Sequence, residues 1–148
     1  MLDPSTSPNE DLSLVLAGPM LRRVETQRIV LWLATSQPMR ARIDLELGGD
    51  QPLRLEPAPG TAACRVLSAG EHLHYLLLDL ALDAEMPAGR WIGYRLALAA
   101  RDEVEPQWVE AADWAPDLCY PGRETPGFVF APQVASLQIG RASCRERV

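Results

Sequence analysis

The two histidines of the chain, His72 and His74, are the residues whose type and spacing could hold a metal ion. Residues two apart in a β-strand point to the same side, so the pair could offer two imidazole ligands to one metal. Glu71 and Asp79 are the nearby acidic residues that could complete such a set. Because few polar side chains on a strand are ligands, we interpret the histidines as a half-exposed structural pair and assign no metal ligand.

A second group of residues that could do chemistry is acidic. Glu110, Asp113 and Asp117 fall in the stretch EAADWAPDL, which could form one or two helical turns. Paired carboxylates can act as general acid and base, but a solvated helix face also explains them, and we favour that interpretation. The sequence contains no GxSxG, P-loop, HExxH or GxGxxG motif. We therefore assign no catalytic and no cofactor-binding residue to the chain.

Aromatic residues are concentrated in residues 108–130, a stretch that also holds several prolines. We predict that this stretch is an interface meant to be covered by a neighbouring domain. The alternative is that its aromatic side chains plug the open end of the fold. They are Trp108, Trp114, Tyr120, Phe128 and Phe130. Trp32 and Trp91 are interpreted as anchors in the core or in an interface, not as a ligand cage.

Composition narrows the class of protein. The chain has 148 residues and a formal charge of −6, which predicts one domain and argues against binding to nucleic acid or to an anionic membrane. Cys64 and Cys119 lack a CxxC spacing and are predicted to be ordinary buried thiols. The apolar run Leu76–Leu78 is far too short to span a bilayer, and MLDPSTSPNEDL contains no signal-peptide core. We expect a soluble, cytoplasmic protein.

The last ten residues, IGRASCRERV at 139–148, are predicted to be a non-native tail. Back-translated as ATC GGA AGA GCG TCG TGT AGG GAA AGA GTG, they resemble a common sequencing adapter. The preceding Gln138 has a codon that supplies the adapter's first two bases, AG. We expect the native sequence to stop near Leu137, and we predict a disordered leader at residues 1–11 because that segment is polar and proline-rich.

Residues 39–47 carry the clearest structural pattern. Apolar and charged residues alternate through MRARIDLEL, which predicts a strand with Ile43 and Leu45 in the core and Arg42 and Asp44 in water. Six further apolar segments between turn-forming residues are predicted strands: 12–17, 28–35, 52–56, 62–67, 71–82 and 91–99. The sequence therefore predicts an all-β, immunoglobulin-like antiparallel β-sandwich of about seven strands, with a short helical turn and an extended C-terminal linker.

Two stretches resemble a known family. They are LVLAGPMLRRVETQRIVLWLATSQP at 14–38 and DLCYPGRETPGFVF at 117–130, which continues to VASL at 134–137. Both resemble the N-terminal region of PhoD-like phosphatases, the bacterial alkaline phosphatase D group of metallophosphoesterases. The resemblance covers roughly residues 12–137. It rests on the order of an AGP strand, a VLW strand and a CYPG linker, not on a catalytic motif.

In that family an immunoglobulin-like sandwich precedes a catalytic domain that hydrolyses phosphate esters with metal ions. The resemblance implies that residues 12–130 are the noncatalytic N-terminal domain and that 131–138 begin the linker. It also implies that the metal ligands lie in a missing catalytic domain beyond Leu137, against which the sandwich packs. A different interpretation remains open: a free-standing immunoglobulin-like module that binds protein or carbohydrate.

Overall fold

Two antiparallel β-sheets pack face to face in the computed structural model, which describes residues 12–110 and 121–131. Nine strands occur in these ranges, and the described residues contain no helix. The strands are β1 Val15–Glu25, β2 Arg28–Thr35, β3 Met39–Leu45, β4 Leu53–Leu55, β5 Cys64–Gly70, β6 Leu73–Ala81, β7 Trp91–Ala100, β8 Val109–Glu110 and β9 Gly127–Val129. The first sheet has the order β1-β2-β6-β5 and the second the order β4-β3-β7-β8, with β9 also paired to β7. The predicted all-β sandwich is confirmed.

The core lies between the sheets and comes from alternate residues of β2, β3, β6 and β7. Burying a large aliphatic side chain there stabilises the fold by roughly 1.5–3 kcal/mol. The main contributors are Ile29, Leu31, Leu33, Met39, Ile43, Leu45, Leu76, Leu78, Leu80, Ile92, Tyr94, Leu96 and Leu98. Ile43 and Leu45 are fully buried, whereas Arg42 and Asp44, which alternate with them, are only half-buried. The period-two interpretation of this strand is therefore confirmed.

The first strand was wrongly predicted to stop at Gly18-Pro19. β1 continues through this dipeptide to Glu25, with irregular register against β2 on both sides of it. Gly18 has φ +82°, and a Cβ built there would lie 2.7 Å from the backbone oxygen of Trp32. The chain can pass this close to β2 because glycine has no Cβ and tolerates a positive φ.

Strand β9, Gly127–Val129, is not among the strands predicted from the sequence. β9 pairs antiparallel with the first residues of β7, and Phe130 bridges to Ala88, whose neighbour Gly89 donates its N–H to the Phe130 oxygen at 2.9 Å. Phe130 is only 8% exposed, so its ring closes the core at this end of the second sheet. The segment belongs to the sandwich because its backbone completes the edge of β7.

Several predictions fall on residues outside the described ranges. They concern the leader at 1–11, the helical turn at 111–118, the linker after residue 131 and the tail at 139–148. Glu110, which was placed in that helical turn, is instead part of strand β8. Within residues 12–110 and 121–131 there is no helix that could cross a membrane.

Candidate functional site

The outward surface of the first sheet carries a cluster of large apolar side chains. Cross-strand register places Met20 of β1 opposite Trp32 of β2, and Trp32 opposite Leu77 of β6. Tyr75 of β6 lies opposite Leu67 of β5 in the next row. Trp32, Tyr75 and Leu77 point outward because their neighbours along β2 and β6 point into the core. We call the surface formed by Met20, Trp32, Leu67, Tyr75 and Leu77 the apolar face.

An aromatic pair forms the centre of the apolar face. The rings of Trp32 and Tyr75 stack with centroids 5.8 Å apart and planes inclined by 26°. Beside them is an open groove of about 380 Å³, lined by Trp32, Arg65, Val66, Leu67, Tyr75 and Leu77. Leu67 is 63% exposed and Met20 is 47% exposed. Large contiguous apolar patches often mark interaction sites on folded proteins, so the apolar face is the candidate site of this chain.

Charged residues border the apolar face at one end. Arg28 binds Asp79 through two hydrogen bonds of 2.7 Å, and Arg23 forms an ion pair with Glu25. The hydrogen bond from Arg28 holds the pKa of Asp79 below its usual range, with a smaller contribution from nearby positive charge. Arg65 is exposed and makes no ion pair within residues 12–110 and 121–131. Most charged side chains of this border are therefore neutralised by an ion pair within the chain, and Arg65 is the exception.

The outward surface of the second sheet is charged. Arg54 binds Asp44 through hydrogen bonds of 2.8 and 2.9 Å, which lower the pKa of Asp44, and Arg40 binds Glu56 at 3.0 Å. The Arg42 guanidinium lies 4.7 Å from the centre of the Trp108 ring, a cation–π contact. Ion pairs and a tryptophan ring covered by arginine make this surface polar, unlike the apolar face.

The two histidines do not form the expected pair. His74 is buried in β6, with Nδ1 2.8 Å from the Ser68 Oγ and Nε2 3.1 Å from the Glu71 carbonyl oxygen. A carbonyl only accepts, so Nε2 donates to it, and in the neutral ring Nδ1 accepts from the Ser68 hydroxyl. His72 lies in the turn before β6, with Nε2 3.8 Å from a Glu71 carboxylate oxygen.

The prediction that both histidines share one side of a strand is therefore wrong, and only His72 is half-exposed. Asp79, the other ligand considered, is held by Arg28. In the part of the chain that the structure describes, no three His, Cys, Asp or Glu side chains are grouped as a metal site. Asp113 and Asp117 lie outside that part, so their grouping with Glu110 is not described.

Two aromatic residues of the predicted interface at 108–130, Phe128 and Phe130, pack inside the sandwich. Phe128 packs against the core, Phe130 is buried, and Trp108 contacts arginines of the second sheet. The alternative, that the aromatic side chains close the sandwich, holds for the two phenylalanines. Trp114 and Tyr120 lie outside the described ranges. Trp91 is also covered, because the Arg123 guanidinium lies 4.4 Å from its ring centre.

The predicted buried thiol is confirmed for Cys64, which is free and fully buried, and burial raises its pKa. Cys119 lies outside the described residues. Comparison of the chain with protein-family models, with curated proteins and with solved structures finds no match. The interpretation of the apolar face therefore depends on its own geometry.

Proposed function

We propose that the chain is a noncatalytic, immunoglobulin-like docking module, the N-terminal domain of a PhoD-like phosphatase. The observation that carries the docking role is the apolar face, with its half-buried Trp32–Tyr75 stack and its groove. Aromatic side chains supply much contact area and lose little conformational entropy on binding, which is why they dominate protein interfaces. The module binds through this face and contributes no reacting group.

Strand order supports the immunoglobulin-like assignment. The first sheet, β1-β2-β6-β5, has the order of strands A, B, E and D of that fold. In the second sheet, β3 and β7 take the places of C and F, β4 is an added strand beside C, and β8 and β9 share the place of G. The AGP and VLW segments of the family resemblance lie in β1 and β2, which correspond to the first two strands, A and B, of that fold.

The activity of the intact protein is part of this proposal. A PhoD-like parent hydrolyses phosphate esters with metal ions held by its catalytic domain, where the metals activate water and neutralise the phosphoryl charge. The test is to sequence the source locus beyond codon 137. Several hundred further in-frame residues with His, Asp and Asn ligand motifs are expected, and a stop codon soon after codon 137 would overturn the phosphatase assignment.

The second candidate is a free-standing immunoglobulin-like module that binds protein or carbohydrate, and the outward-facing aromatic stack favours it. Protein fits the groove better than carbohydrate, since Arg65 is the one charged side chain among the groove's six lining residues. A sugar needs several hydrogen-bonding groups placed around it, and this groove is mainly apolar. The locus sequence distinguishes this candidate from the phosphatase domain, because it requires no catalytic domain to follow.

A further inference from the structure

We propose that the apolar face is covered by the same face of a second copy of this chain. The inference names the partner of the docking surface and rests on the proposed function only in treating that face as a binding surface. It does not depend on whether a catalytic domain follows.

The chemistry of the apolar face makes it complementary to itself. Its central side chains are apolar and aromatic, so two such faces bury apolar area against apolar area. At its border, the acidic groups Asp79 and Glu25 already bind Arg28 and Arg23. Two copies therefore meet through this face without placing like charges together, although each chain carries a formal charge of −6.

Arg65 does not oppose this packing. It stands at the end of the Met20–Trp32–Leu77 row on β5, which is an edge strand. A long arginine side chain at an edge can lay its methylene groups on the apolar surface while its guanidinium stays in water. The second sheet is less suited to the same role, because its Arg40–Glu56 and Asp44–Arg54 pairs lie along β3 and covering the sheet would remove both from water. Among the described strands of the first sheet, the ion pairs lie only at one end.

The size and shape of the face also suit a second sheet. The first sheet has four strands, and β2 is eight residues long. At about 3.4 Å per residue and about 4.8 Å between strands, the whole outward surface of the sheet, the apolar face together with its charged border, projects to on the order of 500 Å². The accessible area is larger because side chains protrude, which brings it toward the roughly 800 Å² per partner of a standard interface. Two sheet faces of this kind pack about 10 Å apart.

The experiment is sedimentation velocity of the full chain over a wide concentration range. We expect a reversible monomer–dimer equilibrium. Leu67→Arg and Met20→Arg each place a charge in the interface at an exposed position and should weaken the dimer at least about tenfold. The matched control is Val129→Arg, which changes a strand valine of the second sheet that is 57% exposed, and should leave the dimer unchanged. Circular dichroism checks that each variant is folded. If one of the two interface variants fails to fold, the other still tests the dimer.

A chain that stays monomeric at all concentrations overturns the inference, as does a dimer that neither interface variant weakens. Carbohydrate would be the occupant instead if the chain is monomeric, soluble glycans slow its migration in affinity electrophoresis, and Trp32→Ala abolishes that slowing. None of these results bears on the proposed phosphatase parent, which is tested separately by the sequence of the locus beyond codon 137. Failure of the dimer is therefore distinguishable from failure of the proposed function.

Discussion

Arg28 on β2 donates hydrogen bonds to both carboxylate oxygens of Asp79 on β6, from Nε to Oδ1 and from Nη2 to Oδ2, each at 2.7 Å. The pair bridges two neighbouring strands at the charged end of the apolar face. A planar guanidinium that binds both oxygens fixes orientation as well as distance. This contact joins β2 and β6, the two strands that carry the Trp32–Tyr75 stack.

Replacing Asp79 should alter the pH dependence of stability. Its pKa is lower in the folded chain than the value of about 3.9 expected in the unfolded chain. The contribution of the pair is therefore present above about pH 4 and is lost as the pH falls through the folded pKa. We expect Asp79→Asn to be less stable than the parent near neutral pH, and the difference to shrink below about pH 4.

Urea unfolding at a series of pH values measures this difference. The control is Asp83→Asn at an exposed loop position, which should stay within about 0.5 kcal/mol of the parent near neutral pH. A deficit in Asp79→Asn that is the same at every pH would contradict the assignment.

Substitution in β3 should separate its two faces. Ile43 is fully buried, so Ile43→Ala should reduce the free energy of unfolding by about 2–5 kcal/mol, because it leaves a cavity. Arg42 lies on the outward surface over Trp108, and Arg42→Ala should cost less than about 1 kcal/mol. Chemical denaturation measures both variants. Equal losses would mean that the two side chains have been assigned to the wrong faces.

Gly18 and Gly60 allow a backbone clash to be separated from a backbone conformation. Both have φ +82°, but a Cβ meets the Trp32 backbone oxygen at Gly18 and nothing within 4 Å at Gly60. Gly60→Ala should therefore lose about 1–2 kcal/mol from its conformation alone. Gly18→Ala should lose clearly more, because β1 must also move away from β2. Thermal unfolding of the two variants tests this, and similar losses would argue against the close approach.

The purified chain should show no phosphatase activity with added Ca, Fe, Mg, Mn or Zn. Metal-assisted hydrolysis needs several ligands directed at one ion, and both ring nitrogens of His74 are occupied by Ser68 and the Glu71 carbonyl oxygen. Assays with a generic phosphomonoester and a phosphodiester measure the activity. Metal-dependent turnover that His72→Ala or His74→Ala abolishes would contradict the noncatalytic assignment.

The sequence by itself determined the class of fold and the positions of most strands, since these depend on local pattern. Alternation in β3 predicts which residues are buried, and β2 was predicted with its observed bounds, Arg28–Thr35. Local pattern also failed in places. Gly18-Pro19 was interpreted as a strand end because these residues usually form turns, whereas pairing with β2 carries the strand through them.

Only the tertiary structure decided where the candidate site lies. Trp32 and Tyr75 are far apart in sequence, and their contact follows from the pairing of β2 with β6 in a register that places Ala34 opposite Tyr75. Period two tells which side of a strand a residue occupies but not which residue of another strand lies beside it. For the same reason the sequence could not show that Ser68 of β5 meets His74 of β6. Strand order and register, which are non-local, assemble the apolar face.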